Sequence, residues 1–217
     1  MNVWTRMPGG HGLRRRLAGV ILAVCLCGAG PAGSSTGPAG APAVPSLAGR
    51  LLVAAPEMRD PRFVESVIYV VRHDDAGAMG VVVNRPVGEL PLARLLERSG
   101  LSSESLQGTL LAHWGGPVES GKGLVLHTPD YRTEGTVVVK ERVALTASRK
   151  ILEAMATSSG PRRSLFVLGY AGWGAGQLED ELARGSWVTA SADESVLFDA
   201  DYLTKWRRAT AKRLLDL

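Results

Sequence analysis

Ser164 to Leu182 reads SLFVLGYAGWGAGQLEDEL and changes character twice along its length. Leu165 to Leu168 form an apolar run of strand length, Gly169, Gly172, Gly174 and Gly176 interrupt it, and Gln177 to Leu182 resumes with helix formers. The pattern predicts a strand, a glycine-rich turn and a helix. Glycines this dense are costly to order, so they belong where the backbone needs a positive φ or where something approaches the main chain closely. A helix starting just after them points free N–H groups into the turn, which makes an anion site physically possible. The dinucleotide fingerprint G-x-G-x-x-G fails, because Gly172 and Gly174 lead to Gln177 at the third position. Glu179, Asp180 and Glu181 suit the first turn of a helix and would compete with an incoming phosphate. The plainer expectation is a tight turn, with Tyr170 and Trp173 packed over the end of a sheet.

Outward from that stretch, the 217 residues allow one ordinary domain and an appendage, and 45% apolar content supports a real core. The formal charge of +4 comes from the N-terminus. Arg6, Arg14, Arg15 and Arg16 stand in residues 1–46 without an acid, leaving 21 basic and 21 acidic residues in the rest. A formally neutral body removes the simplest argument for nucleic-acid binding, so direct binding of that kind is not expected. A local basic face remains in Lys205, Arg207, Arg208, Lys212 and Arg213, for which a solvated helix surface is the simpler reading. Cys25 and Cys27 are the only cysteines, both N-terminal, so the body offers no disulfide, thiol nucleophile or cysteine metal ligand.

After the arginines, Leu17 to Cys27 gives eleven apolar residues, LAGVILAVCLC, too few to span a bilayer and suited to the middle of a secretory signal. Residues 1–29 are therefore expected to be signal-like, residues 30–46 a Gly/Pro/Ala-rich linker, and 47–217 the folded domain. Membrane contact is expected only through the signal segment.

In the body, strands are predicted near 49–55, 66–72, 78–84, 109–114, 123–127 and 136–139. The second and third form a hairpin around Asp74-Asp75-Ala76-Gly77, and 109–114 pairs with 123–127 around Gly115-Gly116-Pro117. Helices are predicted after Pro91 (ending at Gly100), from Ser148, from Gln177 to Gly185, and over 201–215. Ser191 and Glu194 have capping-box spacing, and the last helix places Leu203, Trp206, Thr210 and Leu214 on one side. Hairpins early and no regular strand-helix alternation predict an α+β single domain with a mixed sheet.

Residues 116–123, GPVESGKG, approach the phosphate-loop motif, but Gly123 replaces its hydroxyl residue and a strand follows where a helix is needed; a hairpin loop accounts for them better. His73, His113 and His127 do not assemble a zinc site from their spacing, and His73-Asp74-Asp75 is the best remaining metal or acid-base cluster, although a polar hairpin end needs no function.

The body resembles the YqgE/AlgH family of small bacterial proteins. The likeness rests on G-R-L-L-V-A-A-P-E-M-R-D-P-R-F at 49–63, S-V-I-Y at 66–69, G-A-M-G-V-V-V-N-R-P at 77–86, G-G-P-V at 115–118 and G-L-V-L-H at 123–127. It continues with S-R-K-I-L-E-A-M-A at 148–156, L-G-Y-A-G-W-G-A-G-Q-L-E at 168–179, L-F-D at 197–199 and K-W at 205–206. The resemblance implies a largely antiparallel sheet curled into a partial barrel and flanked by helices, with no established activity and no cofactor. A regulatory reputation attaches to one branch, but no helix-turn-helix supports it here. The family is usually cytoplasmic, whereas a genuine signal would make this chain exported or periplasmic.

The leading functional reading is a non-enzymatic binding or regulatory domain for an unknown protein or small ligand, without catalytic residues, metal or cofactor. Its candidate binding residues are Asn84, Arg85, Gly116, His127, Tyr170, Trp173 and Gln177, because polar and glycine-rich turns on a rigid scaffold are where binding groups gather. The alternatives are a hydrolase using His73 or His127 and a nucleic-acid-linked regulator.

Overall fold

The computed structural model describes residues 45–97 and 108–213, in a compact unit that begins at Ser46. The signal-like segment, the linker up to Val44, Gly100 and Leu214 lie outside the described residues. β1 (Arg50–Ala54), β2 (Val67–Asp74) and β3 (Gly77–Val82) form an antiparallel meander. The expected hairpin turns at Asp75-Ala76, where Asp74 Oδ1 accepts the Ala76 N–H at 3.0 Å.

β9 (Ser164–Gly174) organises the rest and corrects the sequence reading, since the strand continues through the glycines expected to form a turn. Its second half pairs with β3, its first half runs parallel to β5 (Thr109–Trp114), and its other edge pairs with β6 (Val118–His127). β5 and β6 therefore flank β9, and the expected pairing of 109–114 with 123–127 is replaced by pairing of both with a third strand. The glycines permit main chains to cross. A Cβ on Gly115 would lie 2.2 Å from the Gly169 carbonyl oxygen, and one on Gly116 would lie 2.1 Å from the Tyr170 carbonyl carbon. Gly115 donates its N–H to Leu168 O at 2.8 Å and accepts from Val82 N at 2.9 Å, so it ties β9 to β3.

β4 (Pro86–Pro91) pairs with β5, β7 (Thr136–Val139) with β8 (Val143–Thr146), and β10 (Trp187–Ser191) with β1. The main path is β10-β1-β2-β3-β9-β6-β8-β7, with β4 and β5 branching from β9. This mixed, largely antiparallel sheet curls into a half-barrel flanked by helices, the expected α+β architecture. The helices are α1 (Leu92–Leu96), α2 (Arg149–Ala156), α3 (Gln177–Ala183), α4 (Glu194–Phe198) and α5 (Tyr202–Arg213).

Both faces of the central strands are covered. Leu51, Val53, Tyr69, Val81 and Val167 pack with Val196, Leu197 and Ala209 of α4 and α5. Leu52, Ile68, Val70, Val82 and Ala171 pack on the other face with Leu178 of α3 and with Trp173 and Trp187. Burial on both faces is why these strands read as apolar runs without alternation.

Two helix assignments change. Asp193, not Ser191, caps α4, its Oδ1 accepting Val196 N at 2.9 Å, while Ser191 ends β10. α5 is turned so that Lys205 and Ala209 are buried and Leu203 is 91% exposed, while Trp206 of the expected apolar side still packs against the core and donates to Ala54 O at 2.8 Å. Lys205 can face inward because its Nζ donates to Leu197 O at 3.0 Å and Val83 O at 3.2 Å. A buried ammonium with carbonyl partners defeats a reading in which lysine marks the wet face.

Candidate binding face

Residues 55–66 fold over one end of the sheet as successive turns. Met58 N donates to Ala55 O and Phe63 N to Asp60 O, both at 2.9 Å, and Asp60 Oδ1 accepts the Arg62 backbone N–H at 3.0 Å. These bonds carry Phe63 inward between Trp114 and Trp187, with ring centroids 5.7 and 5.6 Å away. The far end is held by Asn84, whose Nδ2 donates to Glu65 O at 2.8 Å and whose Oδ1 accepts from Val67 N at 2.9 Å. Arg85 lies over the Trp114 ring, 5.6 Å from its centroid, and its Nη2 donates to Val64 O. Asn84 and Arg85 therefore clamp a segment in which Glu65 adopts a left-handed φ of 54°.

On the other side, α3 starts after Gly176, whose φ of 72° is in the left-handed region. Gln177 Oε1 accepts from Gly174 N at 3.1 Å, and its Nε2 donates to Glu181 Oε1 at 2.9 Å. Glu181 Oε2 accepts from the indoles of Trp173 at 2.9 Å and Trp187 at 2.7 Å. One carboxylate thus fixes two tryptophans and a glutamine. The nearby Glu179 takes 2.5 Å from its Oε1 to His73 Nε2, while His73 Nδ1 accepts from Leu47 N at 3.0 Å. That second bond places the ring proton on Nε2, so the imidazole donates to Glu179.

Two clefts open around the 57–64 segment. The first, about 680 Å³, is lined by Arg59, Phe63, Pro117, Trp173, Gln177, Glu181, Arg184 and Trp187 among others. The second, about 820 Å³, is lined by Arg62, Asn84, Arg85, Pro86, Val87, Trp114, Pro117, Ser120 and Leu203. Arg62 and Pro117 border both. Trp173 and Gln177 therefore line one cleft, and Asn84 and Arg85 the other. Gly116 is the main-chain crossing beside Tyr170, and Tyr170 packs against the core. His127 is fully buried away from both clefts, with Nδ1–H donating to Thr128 O at 2.7 Å and Nε2 accepting from Thr146 Oγ1 at 2.9 Å.

The other two histidines of the body are held inside. Burial pushes His113 down to about 4, helped by the nearby Lys205 charge and opposed by its bond to the Phe166 carbonyl. Burial likewise lowers His127, against its Thr128 bond and Asp130. His113 pairs in register with Val167 and His127 with Ser164, on opposite edges of β9. Among the described residues no three His, Cys, Asp or Glu side chains form a group able to hold a metal ion, and no helix is long and apolar enough to cross a membrane. The basic face on α5 is divided: Lys205 is buried, Arg208 pairs with Asp199 at 2.5 Å, and Lys212 pairs with Asp193.

Sequence reasoning did not single out Phe63, Trp114, Val87, Leu203 or Arg59 as parts of a site. Their signal was indirect: Arg59 and Phe63 stand in the 49–63 block, Trp114 directly precedes Gly115-Gly116, and Val87 follows Asn84-Arg85-Pro86.

The AlgH-like family model matches residues 51–216. A UPF0301 protein of Caulobacter vibrioides is 51% identical over 168 residues, covering 76% of this chain and 86% of that protein. A UPF0301 protein of Rhodospirillum rubrum is 42% identical over 170 residues, covering 78% and 88%. The solution structure of AlgH from Pseudomonas aeruginosa matches with a TM-score of 0.67 and 40% identity, over 77% of this chain and 89% of that one. These names carry a family and no reaction.

Proposed function

This chain belongs to the AlgH-like family, and from that premise we propose that it is a non-enzymatic binding domain whose two clefts receive a single protein partner. The observation carrying this reading is convergence. The segments at 84–86, 115–118 and 169–177, far apart in sequence, meet the 57–64 segment, with Pro117 common to both clefts. The floor is rigid because Glu181, Asn84 and Gln177 spend their polar atoms on holding neighbouring segments. Arg59, Arg184, Val87 and Leu203 remain exposed at the rims. A pre-organised floor with free arginines and apolar side chains at its edge favours docking over chemistry, since little ordering remains to be lost on binding. Regulation by occupancy of this face is the physiological role that fits.

The reading is tested by recovering the tagged chain from its own cells as wild type, Arg59→Glu and Val87→Asp, both surface changes compatible with folding. A defined partner held by wild type and lost in both variants is expected. A partner retained equally by all three would contradict the assignment.

A further inference from the structure

Resting on the binding face described above, we propose that the second cleft recognises a protein segment in which a carboxylate is flanked by apolar side chains, the carboxylate meeting Arg85 and the apolar groups meeting Val87 and Leu203. The large apolar side chains exposed among the described residues are Val64, Val87, Val118, Leu203 and Val137, and two of them, Val87 and Leu203, line this cleft. Val118 is next in sequence to the wall residue Pro117 and Val64 is tied to Arg85 through its carbonyl, whereas Val137 stands on the edge strand β7. Such a concentration marks an interaction surface more than the ordinary scatter of exposed aliphatics does.

Arg85 supplies the polar specificity. It is half-buried, fixed over Trp114 and bonded through Nη2 to Val64 O, and no other described group takes its remaining N–H donors. Glu65 acts on it only through space, and the neighbouring Arg62 is engaged by Asp60 through two side-chain nitrogens. A guanidinium already oriented by a ring and a carbonyl suits the planar fork of a carboxylate.

The occupant is a chain segment because Leu203, 91% exposed at the rim, would stay in water over a small ligand lying below it. Strand addition along β4 is disfavoured by proline at both ends and the register shift between Pro86 and Gly88.

The probe is a synthetic amphipathic peptide with leucines at i, i+3, i+4 and i+7 and glutamates between them, compared with its lysine counterpart by tryptophan fluorescence and amide chemical shifts. The glutamate peptide is expected to bind at this cleft at least about tenfold tighter than the lysine one, and Leu203→Asp to weaken it about tenfold with unchanged melting. Arg85→Lys should erode the preference for glutamate, whereas Arg59→Ala should not. Equal binding of both peptides, binding by neither, or self-association abolished by Leu203→Asp would overturn the proposal. A cellular partner lost in Arg59→Glu but retained by Leu203→Asp would leave the broader binding face standing while removing this assignment.

Discussion

Lys205 and His113 form a buried basic pair whose cost is readable in pH. Burial pushes Lys205 down to about 8 from 10.5, with Arg208 adding to the fall and Asp199 opposing it. The unfolded chain therefore holds more protons between those values, and stability rises with pH across that window. Relative to Lys205→Met, the wild type is expected to gain on the order of 2 kcal/mol between pH 8 and 10, measured by urea denaturation at each pH. His113 is the acid-side counterpart. Its fall from 6.5 to about 4 means the unfolded chain takes up a proton first on acidification, so stability is lost as pH drops through that interval. The loss should be smaller by on the order of 2 kcal/mol in His113→Gln. Glu181 is a third residue with a distinct signature. Glu181→Gln leaves one acceptor oxygen for three donors, the two indole N–H groups and Gln177 Nε2, and should cost about 1–3 kcal/mol, with a shift in tryptophan emission as Trp173 and Trp187 lose their charged acceptor.

β9 is the element on which prediction from sequence and observed fold diverge most usefully. Leu165 to Leu168 were legible as strand because their chemistry is local, and α3 was legible from Gln177 to Leu182. The glycines were ambiguous because a turn and a close main-chain crossing both require the missing Cβ, and only the partner distinguishes them. That partner, Gly115-Gly116, lies about fifty residues earlier and carries no local mark of where it packs. Similarly, β4 was missed because two prolines and a glycine hide a strand that needs β5 beside it. The crossing makes a graded prediction. Gly116→Ala should destabilise by more than about 3 kcal/mol or prevent folding, since the obstruction is backbone, whereas Gly135→Ala, with a φ of 77° and open space around it, should cost only about 1 kcal/mol.

Across the described residues, the half-barrel brings three glycine- and proline-rich segments to one face. Sequence reasoning singles out those segments through their composition, although β9 continues where it expects a turn, and it names Asn84, Arg85, Trp173 and Gln177, which line the clefts. It could not find Val87 and Leu203 as rim groups, because an exposed aliphatic looks the same in sequence as a buried one, and in α5 the buried Lys205 shifts the inward side away from Leu203. The face tolerates this division of labour: inner polar groups hold the scaffold, and outer arginines and aliphatics remain available. The most direct measurement is site-specific photo-crosslinking in living cells, with the reactive side chain placed in turn at Arg59, Val87, Leu203 and, on the distant edge, Val137. One partner trapped from the first three positions and not from Val137 is the predicted result. Crosslinks of equal strength from all four positions, or from Val137 alone, would contradict it.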